Sequence, residues 1–559
     1  MTTRRSFIQT LAAVPPALSL GSAWGARDPS RLALVIGNSA YLDAPLLNPV
    51  NDARAMAGLL DQAGFTVSSH LNATRTDMRA AIERFAADVR KSETRQVVFY
   101  FAGHGAQLDW RNYLLPVDAR AESATQLRQT CIDLNQLIGE LGASKGKTFI
   151  IMLDACRNNP FGRSYQPEQR GLSQFDAPVG SLLAYATSPG NVAADGSGQN
   201  GLYTENLLRE LSVHGARIED ALKRVRLNVR LASGGTQIPW ETTSLENDVY
   251  IFSDGQKKLS EAEQEKLVED DLAEWMRVKG SGRVDDYAGY LRKFPNGRFA
   301  EIVQGRLAHL LAEQERSRPQ VSPANDGTNG APTIRLGPGL PVPVFMAPTN
   351  NPYSAGSYPL GRKYAAGDTA TFRLSDTITG VEKRVYTVRV TKVDRAADRV
   401  EYDDGRAITD LMGNSLKLGP REFTAPIQNN PAELQIGKKW TGVGRLTFKG
   451  TTSDFYYDYV VARRETITVP AGTFDTFAIE AEGWNRTFGD KLKQTLWVVP
   501  GLNFFIRRDY VVRNRGGNYT ATERHELVEL TQGGVDASCA VPLAGGAQRN
   551  LVIRNNCGA

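Results

Sequence analysis

The sequence predicts an α/β domain with a mostly parallel sheet sandwiched by helices, followed by a short helical segment and an antiparallel β domain. Three observations carry this expectation. From Arg31 to about Ser253 apolar runs alternate with helical patterns, the order that puts helices on both faces of a parallel sheet. Two of those runs, "QVVFYFAG" and "TFIIMLDA", are apolar throughout, as strands covered on both faces should be. Beyond Ala365 the apolar period becomes two: in "YTVRVT", Tyr386, Val388 and Val390 alternate with Thr387, Arg389 and Thr391.

In chain order, the amino terminus comes first. "MTTRRSFIQTLAAVPPALSLGSAWGA" has a short basic region, an apolar middle and a small-residue end, which marks an export signal over residues 1–25. Thr3-Arg4-Arg5-Ser6-Phe7-Ile8 resembles the twin-arginine signal, which exports folded proteins, and cleavage is expected after Gly25. A periplasmic or secreted location follows as an expectation. "LALVIG" reads as a strand and "NDARAMAGLLDQAG" as a helix stopped by Gly64, with "FTVSS" as the next strand. Met78, Ile82, Phe85 and Val89 recur at steps of four, three and four, one face of a helix. "SLLAYATS" adds a strand; "GLYTENLLRELSVH" and "IEDALKRVRLNVRLA" add helices. Residues 30–253 therefore form the first domain and 261–314 a charged helical segment. A Pro/Gly-rich linker over 315–364 leads to the β domain, 365–530. There "ETITVPAGTFDTFAIE" reads as two strands around Pro470-Ala471-Gly472.

Composition narrows the function. The 559 residues are 41% hydrophobic and 23% charged, with 66 basic against 61 acidic residues evenly mixed, which gives no argument for nucleic acid. No interior apolar stretch reaches the roughly 20 residues of a membrane span. Of four cysteines, Cys539 and Cys557 lie close together in the tail, 531–559, and are expected to pair in an oxidising compartment. Cys131 reads as a small buried side chain.

The chemistry is concentrated in "YFAGHGAQLDW" and "TFIIMLDACRNNPF". In an open parallel sheet, ligands bind outside the carboxyl ends of the strands. His104 follows one such end, Asp154 and Cys156 sit at another, and Asp52 opens a helix on the same edge. On neighbouring strands, about 4.8 Å apart, the four converge. A thiol and an imidazole there make a nucleophile and its base, and the glycines flanking His104 let backbone N–H groups approach an oxyanion. Each residue also has a structural alternative. A lone Cys is commonly a buried small hydrophobe, Asp154 can cap a turn, and Asp52 suits a helix amino terminus.

The order His then Cys, 156 − 104 = 52 residues apart, fits the caspase-type arrangement. "FAGHG" and "DAC" resemble the two catalytic motifs of the caspase-like cysteine peptidases, and "YATSPGNVAADGSGQNGLYTENLL" is similar to the following segment in bacterial members. Asp154, two residues before Cys156, is the metacaspase pattern, and "NDARAM" is similar to the metacaspase segment that supplies a second pocket acid, Asp52. Ala102 stands where metacaspases often have Ser. The resemblance implies a caspase fold and an endopeptidase in which Cys156 and His104 act as a dyad. Gly105 and Cys156 would give oxyanion-binding backbone N–H groups, while Asp52 and Asp154 would select Arg or Lys in polypeptide substrates. It calls for no third residue to orient the His. It also implies self-cleavage after Arg170 or Arg163. No metal site or cofactor is visible; some metacaspases need calcium, yet no EF-hand-type run occurs here. The alternative is an inert scaffold of this fold whose β domain binds an envelope partner.

Overall fold

In a computed structural model of the chain, the described residues are 28–533 except 92, 143–145, 157–160, 162–171, 189–197, 254–259, 317–332, 341–350, 352 and 449, together with 540–542 and 551–553. Cys156 is described by its backbone. The export-signal residues, Arg163, Arg170, Cys539 and Cys557 lie outside the described set.

The first domain runs β1 (Arg31–Gly37), α1 (Pro49–Gln62), β2 (Thr66–Leu71), α2 (Arg75–Val89), β3 (Gln96–Leu108) and β4 (Arg111–Leu114). It continues with α3 (Ala124–Thr130), β5 (Ile132–Asp133), α4 (Leu134–Gly142), β6 (Thr148–Cys156), β7 (Ser181–Tyr185), α5 (Leu202–Leu211), α6 (Ile218–Ala232) and β8 (Trp240–Thr243). The main sheet has the order β2-β1-β3-β6-β7-β8, parallel except for β8. One face is covered by α1, α5 and α6 around Met56, Tyr203 and Val225. The other is covered by α2 and α4, where Met78, Ile82, Phe85 and Val89 are all buried. A Thr74–Asp77 capping box starts α2, and Gly64, at φ 86°, ends the turn after α1.

Strand β3 runs further than its apolar pattern predicts. His104 lies inside it, and residues Gly105–Leu108 leave the main sheet to pair antiparallel with β4. The change of partner falls between His104 and Gly105, and just before it, at Gly103, an added Cβ would lie 2.6 Å from the Tyr41 hydroxyl. Only glycine permits that approach.

Helices α7 (Glu261–Val278), α8 (Val284–Lys293) and α9 (Ala300–Arg316) form the charged segment, packed around Trp275, Tyr290 and Phe299. The predicted linker is more structured than its composition suggests: it contains β9 (Ile334–Leu336) and β10 (Ser357–Pro359). The β domain follows as β11 (Thr369–Asp376), β12 (Glu382–Asp394), β13 (Arg399–Tyr402), β14 (Ala407–Thr409), β15 (Ser415–Leu418) and β16 (Arg421–Ile427). Next come β17 (Glu433–Gln435), β18 (Lys439–Phe448), β19 (Thr451–Val469), β20 (Gly472–Asn485), β21 (Asp490–Val498), β22 (Arg507–Arg513) and β23 (Tyr519–Gln532). Strand β17 pairs with β10. The other strands form an antiparallel sheet in which β11 pairs with both β12 and β23, closing twelve strands into a barrel, with β9 added beside the end of β23. Val388 and Val390 turn inward while Thr387 and Arg389 are exposed, the period-two pattern of the sequence.

Lys223 of the first domain donates to Asn296 of the helical segment, and that segment meets the barrel through ion pairs. Lys438 pairs with Glu301 at 2.9 Å, and Arg306 with Asp398 at 2.7 Å. Between them lies a cleft of about 620 Å³ lined by Lys223, Arg226, Glu241, Glu301, Glu433 and Lys438. His104 is not among the residues that line it. No described helix is long and apolar enough to cross a membrane.

Candidate active site

The sheet order puts a switch point between β1 and β3. The chain leaves β1 toward β2 and leaves β3 toward β6, so the loops beyond the two strands part and a crevice opens at their carboxyl ends. Helix α1 begins against the end of β1, where a Cβ on Gly37 would meet Pro49 O and the Ala53 Cβ at 2.4 Å. That contact carries Asp52, in the first turn of α1, to the crevice.

Parallel pairing of β3 with β6 sets Ala102 beside Asp154, Gly103 beside Ala155 and His104 beside Cys156. The register therefore brings the predicted His and Cys backbones together on adjacent strands. His104 is 2% exposed, and its ring Nε2 lies 2.7 Å from the Ala44 carbonyl oxygen. A carbonyl only accepts, so Nε2 carries the proton, and in the neutral ring Nδ1 holds the lone pair. No third side chain was expected to orient the His; the ring is held by a backbone group, the carbonyl of Ala44 in the loop after β1.

Tyr41 is a second group that the sequence did not reveal. Its ring lies 4.5 Å from the His104 ring, and its hydroxyl accepts from the His104 N–H at 3.0 Å while donating to Leu115 O at 2.9 Å. The hydroxyl thus bridges one place in the β3–β4 ladder, while the Leu115 N–H donates directly to His104 O at 3.0 Å. By the alternation of antiparallel pairs, the next pair, Gly105 with Leu114, is non-hydrogen-bonded, so the Gly105 N–H turns away from β4. Tyr41→Phe is expected to strand the buried His104 N–H and cost roughly 1–3 kcal/mol. Urea unfolding would measure it.

Both acids are buried, Asp52 at 2% and Asp154 at 8% exposure. They meet the amino end of α5 from two sides. Asp52 Oδ1 accepts from the Gly201 N–H at 3.0 Å and from Asn200 Nδ2 at 2.8 Å. Asp154 Oδ2 accepts the Thr204 hydroxyl at 2.6 Å, and that hydroxyl in turn lies 2.6 Å from the Tyr100 hydroxyl. Burial first, then the Asp154 and Asp52 carboxylates, raise the Tyr100 hydroxyl well above its usual range, so one buried group senses both acids. A helix amino terminus favours nearby negative charge. Cys131 stands apart, free and buried, with its thiol pushed up to about 12 by burial. Among the described residues, no group of three or more His, Cys, Asp or Glu is arranged to hold a metal ion.

The family model described as caspase domain matches residues 30–250. Residues 30–250 form a caspase domain. Within it, the human protein named mucosa-associated lymphoid tissue lymphoma translocation protein 1 is 27% identical over 161 residues, 29% of this chain and 19% of its own length. Pig caspase-1 is 25% identical over 248 residues, 40% of this chain and 59% of its own length. The chain thus spans less than two thirds of each relative. A crystal structure of the Drosophila initiator caspase Dronc aligns with a TM-score of 0.31 at 15% identity, over 41% of this chain and 86% of that one. The caspase domain supports a cysteine-protease type of function; the helices and the barrel lie outside the matched region.

Proposed function

We propose that the chain is a cysteine endopeptidase that cuts polypeptides after Arg or Lys. The observation that carries this reading is the register of β3 against β6, which pairs His104 with Cys156 while Ala44 fixes the imidazole tautomer. His104 Nδ1 takes the thiol proton and the Cys156 sulfur attacks the scissile carbonyl carbon. Charge moves to the carbonyl oxygen, which the Gly105 and Cys156 N–H groups receive. The C–N bond then breaks, its electron pair leaving with the amine, which takes the proton from the imidazolium. Water, deprotonated by His104, hydrolyses the thioester and restores the thiol. The buried Asp52 and Asp154 repel an acidic substrate side chain and favour a guanidinium or ammonium.

Hydrolysis of arginyl, lysyl and aspartyl reporters by wild type and Cys156→Ala tests the reading. Activity shared by both proteins, or none on the basic reporters, would leave the scaffold alternative in its place. The reading uses no cofactor; adding calcium or a chelator to the same assay reads calcium activation. Export through the twin-arginine-like segment belongs to the proposal and is tested by fractionating cells that carry Arg4→Lys and Arg5→Lys.

Self-processing is a further expected outcome. Mass spectrometry of the purified wild type should find a cut after Arg170, or failing that Arg163, which disappears in Cys156→Ala. An intact wild type that cleaves arginyl reporters would show a single-chain enzyme.

A further inference from the structure

Residues from the predicted linker lie against the caspase domain beside the candidate site. Leu172 is the first described residue after 162–171, and it packs over Gly105: a Cβ there would lie 2.9 Å from Leu172 Cδ2. Ser173 is tied to β4, its N–H donating to Asn112 Oδ1 at 2.6 Å and its carbonyl accepting from Asn112 Nδ2 at 2.9 Å. The linker then fastens the same stretch from outside. Asn351 Nδ2 donates to Gln174 O at 2.7 Å and to Ser173 Oγ at 3.1 Å. The Asp176 N–H donates to Tyr353 O at 2.9 Å, and the Asp176 carboxylate accepts from the Ser354 hydroxyl at 2.8 Å and the Ala355 N–H at 2.9 Å. Phe175 and Tyr353 stack at 5.3 Å. The barrel anchors the other end, since Arg464 donates to Ala355 O at 2.7 Å and pairs with Asp475.

A continuous path of bonds therefore runs from the barrel wall, through Ala355, Asp176 and Ser173, to β4 and the Gly105 strand. Nothing in the catalytic chemistry requires residues 177 to 179 positions downstream to bind this stretch. Its geometry does, because an oxyanion donor is useful only where it is held still. On the reading of Cys156 and His104 as a peptidase pair, we infer that Asn351 and Asp176 are positioning residues: together with residues 353–356 they clamp the stretch Leu172–Asp176 onto the strand that supplies the Gly105 N–H. The barrel domain is thereby part of the enzyme, and cleavage within 162–171 leaves the new amino-terminal stretch fastened in place.

The test uses the full-length protein with Asn351→Ala, Asp176→Ala and Asn351→Asp, the last keeping an acceptor while losing both donated bonds. The alanine variants and Asn351→Asp should lose about ten-fold or more in kcat on an arginyl reporter, with KM moving less than about two-fold. Alkylation of Cys156 by iodoacetamide, which needs the thiolate and no oxyanion donor, should keep its wild-type rate. Hydrogen exchange should show the Asp176 amide losing protection. Wild-type kcat in the variants, or an Asp176 amide that stays protected, would overturn the inference. A parallel fall in kcat and alkylation would overturn it too, since that marks general damage. If Asn351→Ala does not fold, Ser354→Ala, which removes one bond to Asp176, carries the same expectation for exchange and kcat. A wild type that neither turns over the reporter nor reacts at Cys156 defeats the peptidase reading, and the exchange result still decides whether the clamp exists.

Discussion

Replacing Cys156 by Ala is expected to lower turnover of an arginyl reporter by roughly 10³-fold or more, because no other described thiol can replace it. Cys131, the other cysteine of the caspase domain, is buried with its thiol raised to about 12, which keeps it protonated at neutral pH. His104→Ala should lose roughly 10²–10⁴-fold, the usual contribution of a positioned base and acid. The two effects should not add, since the residues act as one unit. A double variant no worse than Cys156→Ala would show this. Equal turnover by wild type and Cys156→Ala would end the assignment.

The second large effect is expected at Asp154. Removing one partner of a buried charge pair costs roughly 2–5 kcal/mol, so Asp154→Asn should lose about thirty-fold to a few thousand-fold in kcat/KM on arginyl and lysyl reporters. The isosteric amide still accepts the Thr204 hydroxyl, so folding should survive and the change should fall on substrate binding. Asp52→Asn should also weaken the start of α5, because the Gly201 N–H and the Asn200 amide both lean on that carboxylate. Its Tm should therefore fall where that of Asp154→Asn does not. Efficient cleavage after Asp by the wild type would refute the acidic pocket.

The sequence made the α/β core legible because its strands are apolar on both faces and its helices carry clean periodic stripes. The placement of the His104 and Cys156 backbones side by side was legible too, since a parallel sheet presents its strand ends along one edge. Ala44 and Tyr41 were not. Ala44 acts through a carbonyl that every residue type carries, and Tyr41 works by reaching into a gap left by Gly103, which no spacing rule encodes. The length of β3 was misjudged for a related reason: its last residues pair with β4, and a local pattern does not say which partner a strand takes. Asn351-Pro-Tyr-Ser-Ala-Gly reads as turn chemistry, so its role against Asp176 was hidden by composition suited equally to a free linker. Period two revealed the strands of the β domain, but pairing of the first with the last is set by distant residues.

That last pairing has a kinetic consequence. Thr369 lies opposite Thr531, 162 positions later, so the ring cannot close until nearly the whole domain has been synthesised. Until then β11 and β23 are two bare rims, each able to recruit a neighbouring molecule. Long-range pairings of this kind are reached slowly, on the millisecond-to-second scale even in small domains. The half-built barrel is therefore the stage at which this chain is most exposed to misassembly. A chain that stops short of β23 should accumulate as aggregate even though His104 and Cys156 have long been synthesised.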